Sequence, residues 1–130
     1  MCLLDEVVEW TADSICCGSE SHRREDNALR AHGRLGIACG VEYAAQAMAV
    51  HGALRAASTS LAYRAGLLAS VRGLTMNVDR LDNIAGVLFA SATFVHGDST
   101  MVLYEFSLAD SKRVLLTGRA TIAFAMRAAS

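Results

Sequence analysis

Between Ala38 and Leu54 the chain reads Ala-Cys-Gly-Val-Glu-Tyr-Ala-Ala-Gln-Ala-Met-Ala-Val-His-Gly-Ala-Leu, and from Val41 onward its one formally charged side chain is Glu42. The composition is that of a helix, and apolar residues fall on nearly every side of the helical wheel. A helix without a polar stripe is normally buried on most sides, so the rest of the chain has to wrap around it. A carboxylate near the start of such a helix needs either a partner or a job.

The remainder of the sequence limits what the job can be. A chain of 130 residues makes one domain, 1–130, large enough to bury a core without disulfides or metal. Twelve basic residues against thirteen acidic, with 53% hydrophobic content, give no electrostatic footprint for nucleic acid or an acidic membrane surface. Cysteines 2, 16, 17 and 39 lack the paired spacing of a zinc site and read as reduced, small hydrophobes. No leader is recognisable at the N-terminus, and no apolar run approaches the roughly 18 residues of a membrane span, so a cytoplasmic protein is expected. Proline is absent, leaving the turns to Gly, Asp, Asn and Ser.

Strands flank the helix on both sides. Leu3 to Trp10 and Ser14 to Ser21 read as two short strands around the interruption Thr11-Ala12-Asp13. From His22 to Arg34 the chain turns polar and irregular, the kind of loop that carries chemistry when a rigid element holds it. After the helix the hydrophobic period changes to two: Leu74, Met76 and Val78 alternate with polar neighbours, as do Val102, Tyr104, Phe106 and Leu108. Strands are expected over Ile84 to His96, Met101 to Leu108 and Val114 to Met126, joined by hairpins at Gly97-Asp98-Ser99 and Ala109-Asp110-Ser111. One long helix and an antiparallel meander make an α+β fold, a curved sheet wrapped around the helix. Its open edges predict self-association as a homodimer.

The segment Gly40-Val41-Glu42-Tyr43-Ala44-Ala45-Gln46-Ala47-Met48-Ala49 resembles the central helix of hot-dog-fold 3-hydroxyacyl-(acyl carrier protein) dehydratases, where an acidic residue is followed four positions later by Gln. Met1-Cys2-Leu3-Leu4-Asp5-Glu6-Val7 resembles their opening strand, and the order of elements agrees along nearly the whole chain. The likeness is strongest to a small, divergent branch of these enzymes, often found beside acyl carrier proteins in polyene and polyketide-type gene sets. Those dehydratases usually carry residues before the Leu-Leu-Asp strand, including a Pro-His pair, and this sequence opens almost at that strand; if its start is placed too late, a short piece of the native protein precedes it.

The resemblance implies a site shared by two subunits, with a loop His and the helix acid flanking the acyl chain. Eliminating water from a 3-hydroxyacyl thioester needs a base for the C2 proton and an acid for the departing C3 hydroxyl. Glu42 would be the acid, and Gln46, one turn along, would orient Glu42 or a water. Gly40 lies where a backbone amide could polarise the thioester carbonyl without a side chain in the way. The His-Phe-Pro-Gly motif of the familiar enzymes is missing. His22 and His32 are the candidates for the base, twenty and ten residues before Glu42, and the interval usual in those enzymes lies between the two. His22 follows the second strand directly and can be held by it, which favours it over His32 on its Ala-His-Gly tip. His51 reads as a core or interface histidine and His96 as a hairpin-end residue. Arg23, Arg24, Arg30 and Arg34 offer contacts to an acidic carrier protein or its phosphopantetheine, although loop arginines are usually solvated.

The leading reading is therefore dehydration of 3-hydroxyacyl chains on acyl carrier protein, in fatty acid or polyene-type biosynthesis, with no metal or nucleotide cofactor. A hot-dog thioesterase using Glu42 to activate water or attack the thioester is one alternative. The other is a non-catalytic subunit that binds acyl chains or a catalytic partner, as in a heterodimer with a related hot-dog subunit.

Overall fold

The computed structural model describes residues 2–59 and 66–124. Six strands, β1 (Glu6–Trp10), β2 (Ser14–Ser19), β3 (Gly66–Met76), β4 (Leu88–Gly97), β5 (Met101–Ala109) and β6 (Val114–Phe124), form one sheet in the order β1-β2-β4-β5-β6-β3. Every neighbouring pair is antiparallel. The helix α1 (Gly40–Thr59) lies on one face of this sheet, and the arrangement is the hot-dog fold that the resemblance implied. Among the described residues no helix is long and apolar enough to cross a membrane.

Alternation decides which face meets the helix. Ile15 and Cys17 of β2, Leu88, Ala90 and Ala92 of β4, Tyr104, Phe106 and Leu108 of β5, and Leu116 and Ala120 of β6 are all buried. Their sequence neighbours Thr93, Glu105 and Arg119 are exposed on the outer face. Small residues on both surfaces, Ala44 and Ala47 of α1 and Ala90, Ala92 and Ala120 of the sheet, are part of this buried layer.

Burial of α1 is one-sided, contrary to the expectation from its composition. Tyr43, Ala44, Ala47, Met48 and His51 form the buried stripe, whereas Glu42, Ala49 and Ala53 are exposed. Alanine makes this possible, because it reads as apolar on a helical wheel yet loses little when left in water. The carboxylate of Glu42 is thus not buried in the chain by itself.

Several strand limits differ from the sequence pattern. Leu3 is buried but lies ahead of β1, and β2 ends at Ser19, where the 3-10 turn Ser21–Arg23 begins. Strand β4 starts at Leu88 rather than Ile84, because Ile84 closes a tight turn with Leu81 and Gly86 has φ +80°. Strand β3 reaches back to Gly66, through a stretch whose small residues Gly66, Ala69, Ser70 and Gly73 hide the period of two. Gly73, at φ +62°, sits in the bulge between Arg72 and Thr75. The hairpins at Asp98 and Asp110 form as expected, each carboxylate accepting backbone N–H groups of its own turn. The last part of the expected final strand, 125–126, lies outside the described residues.

Candidate active site at the start of the helix

A 3-10 turn, Ile37–Cys39, leads directly into α1. Gly40 follows it, with its N–H turned back to the carbonyls of Ile37 and Ala38. A Cβ on Gly40 would come within 2.8 Å of both Leu108 Cδ2 and Leu116 Cδ2. The missing side chain therefore makes room for two core leucines, so the structure gives Gly40 a packing reason and its amide a partner within the turn.

The next turn of α1 is stapled to the segment after β2. The Tyr43 hydroxyl lies 2.8 Å from Ser21 Oγ and accepts from Asn27 Nδ2 at 3.2 Å. Ser21 Oγ donates to the Leu3 carbonyl at 2.7 Å, so its lone pairs take the Tyr43 proton. Ser19 Oγ donates to the same carbonyl. All of these side chains are buried, and every polar atom of the cluster is satisfied. Tyr43 and Ser21 are the sequence neighbours of Glu42 and His22, so this bond joins the two chain segments that carry the candidate acid and base.

His22 lies in the 3-10 turn Ser21–Arg23, held directly beyond β2, and is fully buried. Its Nε2 is 2.9 Å from the Ile84 carbonyl, which can only accept, so Nε2 carries the proton. Nδ1 is then a bare acceptor, and among the described residues it is the buried side-chain nitrogen or oxygen without a hydrogen-bond partner. Burial pulls the imidazole below its usual pKa, with Arg23 and Arg30 acting the same way and the Ile84 carbonyl and Glu20 opposing. The ring is held neutral with a free lone pair, the state a general base requires.

The remaining candidates fall in different places. Glu42, in the first turn of α1, is exposed. Gln46 Oε1 accepts the Leu3 N–H at 2.8 Å, which commits its carbonyl end to the N-terminal segment. His32 is exposed at the tip of a two-residue hairpin closed by Ala31 and Arg34, with φ +53° followed by Gly33 at φ +76°. That turn accounts for His32-Gly33 without invoking chemistry. His51 is a core histidine, as expected: Nδ1 accepts from the Tyr104 hydroxyl at 2.7 Å and Nε2 donates to the Thr11 carbonyl at 2.9 Å. His96 is at the end of β4, also as expected. Of the loop arginines, half-buried Arg30 donates to the carbonyls of Arg24, Gly33 and His22, and Arg24 pairs with Asp26. Arg23 and Arg34 are exposed.

Sequence reasoning missed Tyr43, Asn27 and the Ile84 carbonyl. A tyrosine inside an alanine-rich helix was a usable signal, because a buried phenol needs a polar partner. The acceptor at Ile84 had none, being a backbone group 62 residues away.

An apolar cavity of about 100 Å3 opens between α1 and the sheet, lined on the helix by Ala45, Met48, Ala49 and Gly52. Tyr104, Ile122 and Phe124 contribute from the strands. Glu42, Ala45, Ala49 and Gly52 follow the helical repeat, so Glu42 stands at the head of the face that borders this cavity. Among the described residues no group of three or more His, Cys, Asp or Glu is placed to hold a metal ion.

The sequence matches the family described as ApeP dehydratase over residues 1–128. The chain belongs to that family. No curated protein matches it. Among solved structures, the dehydratase heterocomplex ApeI:P from Xenorhabdus doucetiae superposes with a TM-score of 0.84 at 21% identity, over 97% of this chain and 84% of that one. A thioesterase from Haemophilus influenzae gives 0.67 at 12% identity, over 92% and 77%. A Streptococcus mutans protein bound to acetyl CoA also gives 0.67, at 10% identity over 92% and 87%. At these identities the structures establish the hot-dog fold, and the family match makes the chain a dehydratase-type member of it.

Proposed function

We propose that the chain dehydrates 3-hydroxyacyl thioesters carried on acyl carrier protein to 2-enoyl thioesters. The observation that carries this reading is the state of His22: neutral, fixed through Nε2–H to Ile84, and offering an unpartnered Nδ1, in a member of a dehydratase family. Nδ1 is sealed off in the chain alone, so the reading requires the cover over the ring to open on substrate binding; Nδ1 then takes the C2 proton, and the electron pair of that bond moves toward the thioester carbonyl. The positive end of α1 favours the enolate-like charge as it develops. Glu42 supplies the proton to the C3 hydroxyl, the C3–O bond breaks, and water leaves as the double bond forms. The imidazolium is stabilised meanwhile by the Ile84 carbonyl, since a hydrogen bond from a charged donor is the stronger one. The acyl tail lies along the Ala45-Ala49-Gly52 face toward the apolar cavity.

His22 and Glu42 come from different subunits in this reading. The open face of α1, headed by Glu42, and β3, a sheet edge with Leu67 78% and Met76 50% exposed, supply apolar surface for a second hot-dog subunit to cover. A homodimer serves this geometry. A heterodimer with a related subunit is favoured by the heterocomplex in which the Xenorhabdus chain was seen. Exposed Arg23 and Arg34 are the side chains left to meet the phosphopantetheine or acidic carrier.

Mass spectrometry of a 3-hydroxyacyl-(acyl carrier protein) tests the reading. Loss of one water by the wild type, abolished in Glu42→Gln and His22→Ala, is expected. Release of free acid makes the chain a thioesterase instead. Turnover that appears only on adding a related hot-dog subunit selects the heterodimer. Full activity of His22→Ala makes the sealed ring a structural histidine and removes the base.

A further inference from the structure

We infer that Asp82 is the positioning residue of this site, locking the acceptor of His22 and the segment that launches α1 into one rigid unit. The inference rests on the dehydratase reading for its kinetic consequence, but not for its structural one. Asp82 lies inside the turn that Ile84 N–H closes onto the Leu81 carbonyl at 3.0 Å, and Ile84 supplies the oxygen that holds His22 Nε2–H. The same carboxylate accepts the Leu35 N–H at 2.9 Å, two residues before the 3-10 turn that feeds α1. The Leu35 carbonyl returns a bond from Leu81 N–H at 2.7 Å, and Ile37 N–H reaches the Asp79 carbonyl at 3.0 Å. That carboxylate adds a side-chain bond to the backbone bonds that tie these loops together, one loop carrying the oxygen that holds His22 and the other leading into α1.

Arg80 makes this joint stiff. Its guanidinium grips both Asp82 oxygens, through Nε at 3.0 and 3.2 Å and through Nη2 to Oδ2. The Asp82 side chain is only 7% exposed, and the guanidinium holds its carboxyl far below the usual carboxylate range. The pairing thus favours the charged form of both side chains. Nothing else in the loop 77–87 explains why a nearly buried carboxylate should stand there. Its partners are the Leu35 N–H ahead of α1 and the arginine that fixes it.

Asp82→Asn keeps an oxygen for the Leu35 N–H but removes the charge that Arg80 grips. Arg80→Gln leaves Asp82 in place and removes the grip, which provides a second variant should the first fold poorly. In both, the Ile84 carbonyl is expected to lose its alignment with His22. Nitrogen-detected NMR of the imidazole, which needs no substrate, should then show faster solvent exchange of the Nε2 proton. With substrate, kcat should fall on the order of 10-fold to 100-fold while KM changes little, since a displaced base is felt in the transition state. The acid limb of the kcat profile should move up toward the usual histidine value of about 6.5 as water reaches the ring. The charged groups around His22, Glu20, Arg23 and Arg30, are untouched by either substitution.

An Nε2 proton as protected in both folded variants as in the wild type would overturn the inference. So would a loss of thermal stability with kcat, KM and the pH profile unchanged, which is what a merely structural clamp gives. Loosening of the His22 ring in a chain that never dehydrates its substrate would sustain the positioning role and sink the dehydratase reading instead.

Discussion

Gly40→Ala separates packing from chemistry at the head of the helix. The new Cβ would lie 2.8 Å from Leu108 Cδ2 and from Leu116 Cδ2. Carbon atoms rest about 3.5–4.0 Å apart, so each methyl must retreat by about 0.7–1.2 Å. Both leucines are fully buried, and a close-packed core has little space to receive them. Overpacking of this kind costs about 1–3 kcal/mol. Alanine recovers at most about 1 kcal/mol of helix propensity, and less at the first residue of the helix. The balance is a loss of up to about 3 kcal/mol, and near 2 kcal/mol at mid-range, read as a lower urea midpoint with an unchanged slope. A variant as stable as the wild type, with turnover lost, would refute the packing argument and return Gly40 to the thioester.

Further perturbations probe the buried polar groups. Tyr104→Phe removes the partner of His51 Nδ1 and leaves a buried nitrogen unpaired, which should lower stability by about 1–3 kcal/mol in denaturant melts; a change below about 0.5 kcal/mol would contradict the buried Tyr104–His51 hydrogen bond. His22 and His51 both have pKa values lowered by burial, so the unfolded chain binds their protons first. Stability should be complete above the unfolded value of about 6.5 and fall as pH drops below it, by up to about 1.4 kcal/mol per pH unit for each histidine. A flat profile between pH 7 and 5 would show that the rings are not held neutral. Cys17 is buried with its thiol pushed up to about 11, whereas Cys2 is exposed. A thiol reagent should label Cys2 quickly and Cys17 only on unfolding, and equal rates would contradict the core placement.

The fold was legible where a single period runs unbroken. The alternation of Val102 to Leu108 set both the extent and the inward face of β5, and aspartates marked the two hairpins. Strand β3 was not legible over 66–73, because its glycines, alanine and serine carry no period and its bulge shifts the register. The same chemistry misled the reading of α1, where alanines that look buried on a wheel face outward at 49 and 53. Within the site, the position of His22 straight after β2 was readable, since a short turn can only place it there. What makes it a candidate base was not, because its acceptor is a backbone carbonyl from a distant loop and its missing partner is visible only in three dimensions.

The shared site is tested most directly by mixing two inactive chains. Where the chain pairs with itself, as the homodimer form of the proposal has it, His22→Ala and Glu42→Gln dimers, dissociated and reassociated together, form mixed dimers in which one site carries both lesions and the other carries none. If the base and acid come from different subunits, activity should return to about a quarter of the wild-type level at full exchange, as two-fold symmetry requires. If the mixture stays as inactive as its components after exchange is demonstrated, His22 and Glu42 do not act across an interface between two copies of this chain, and the shared site in a homodimer is refuted.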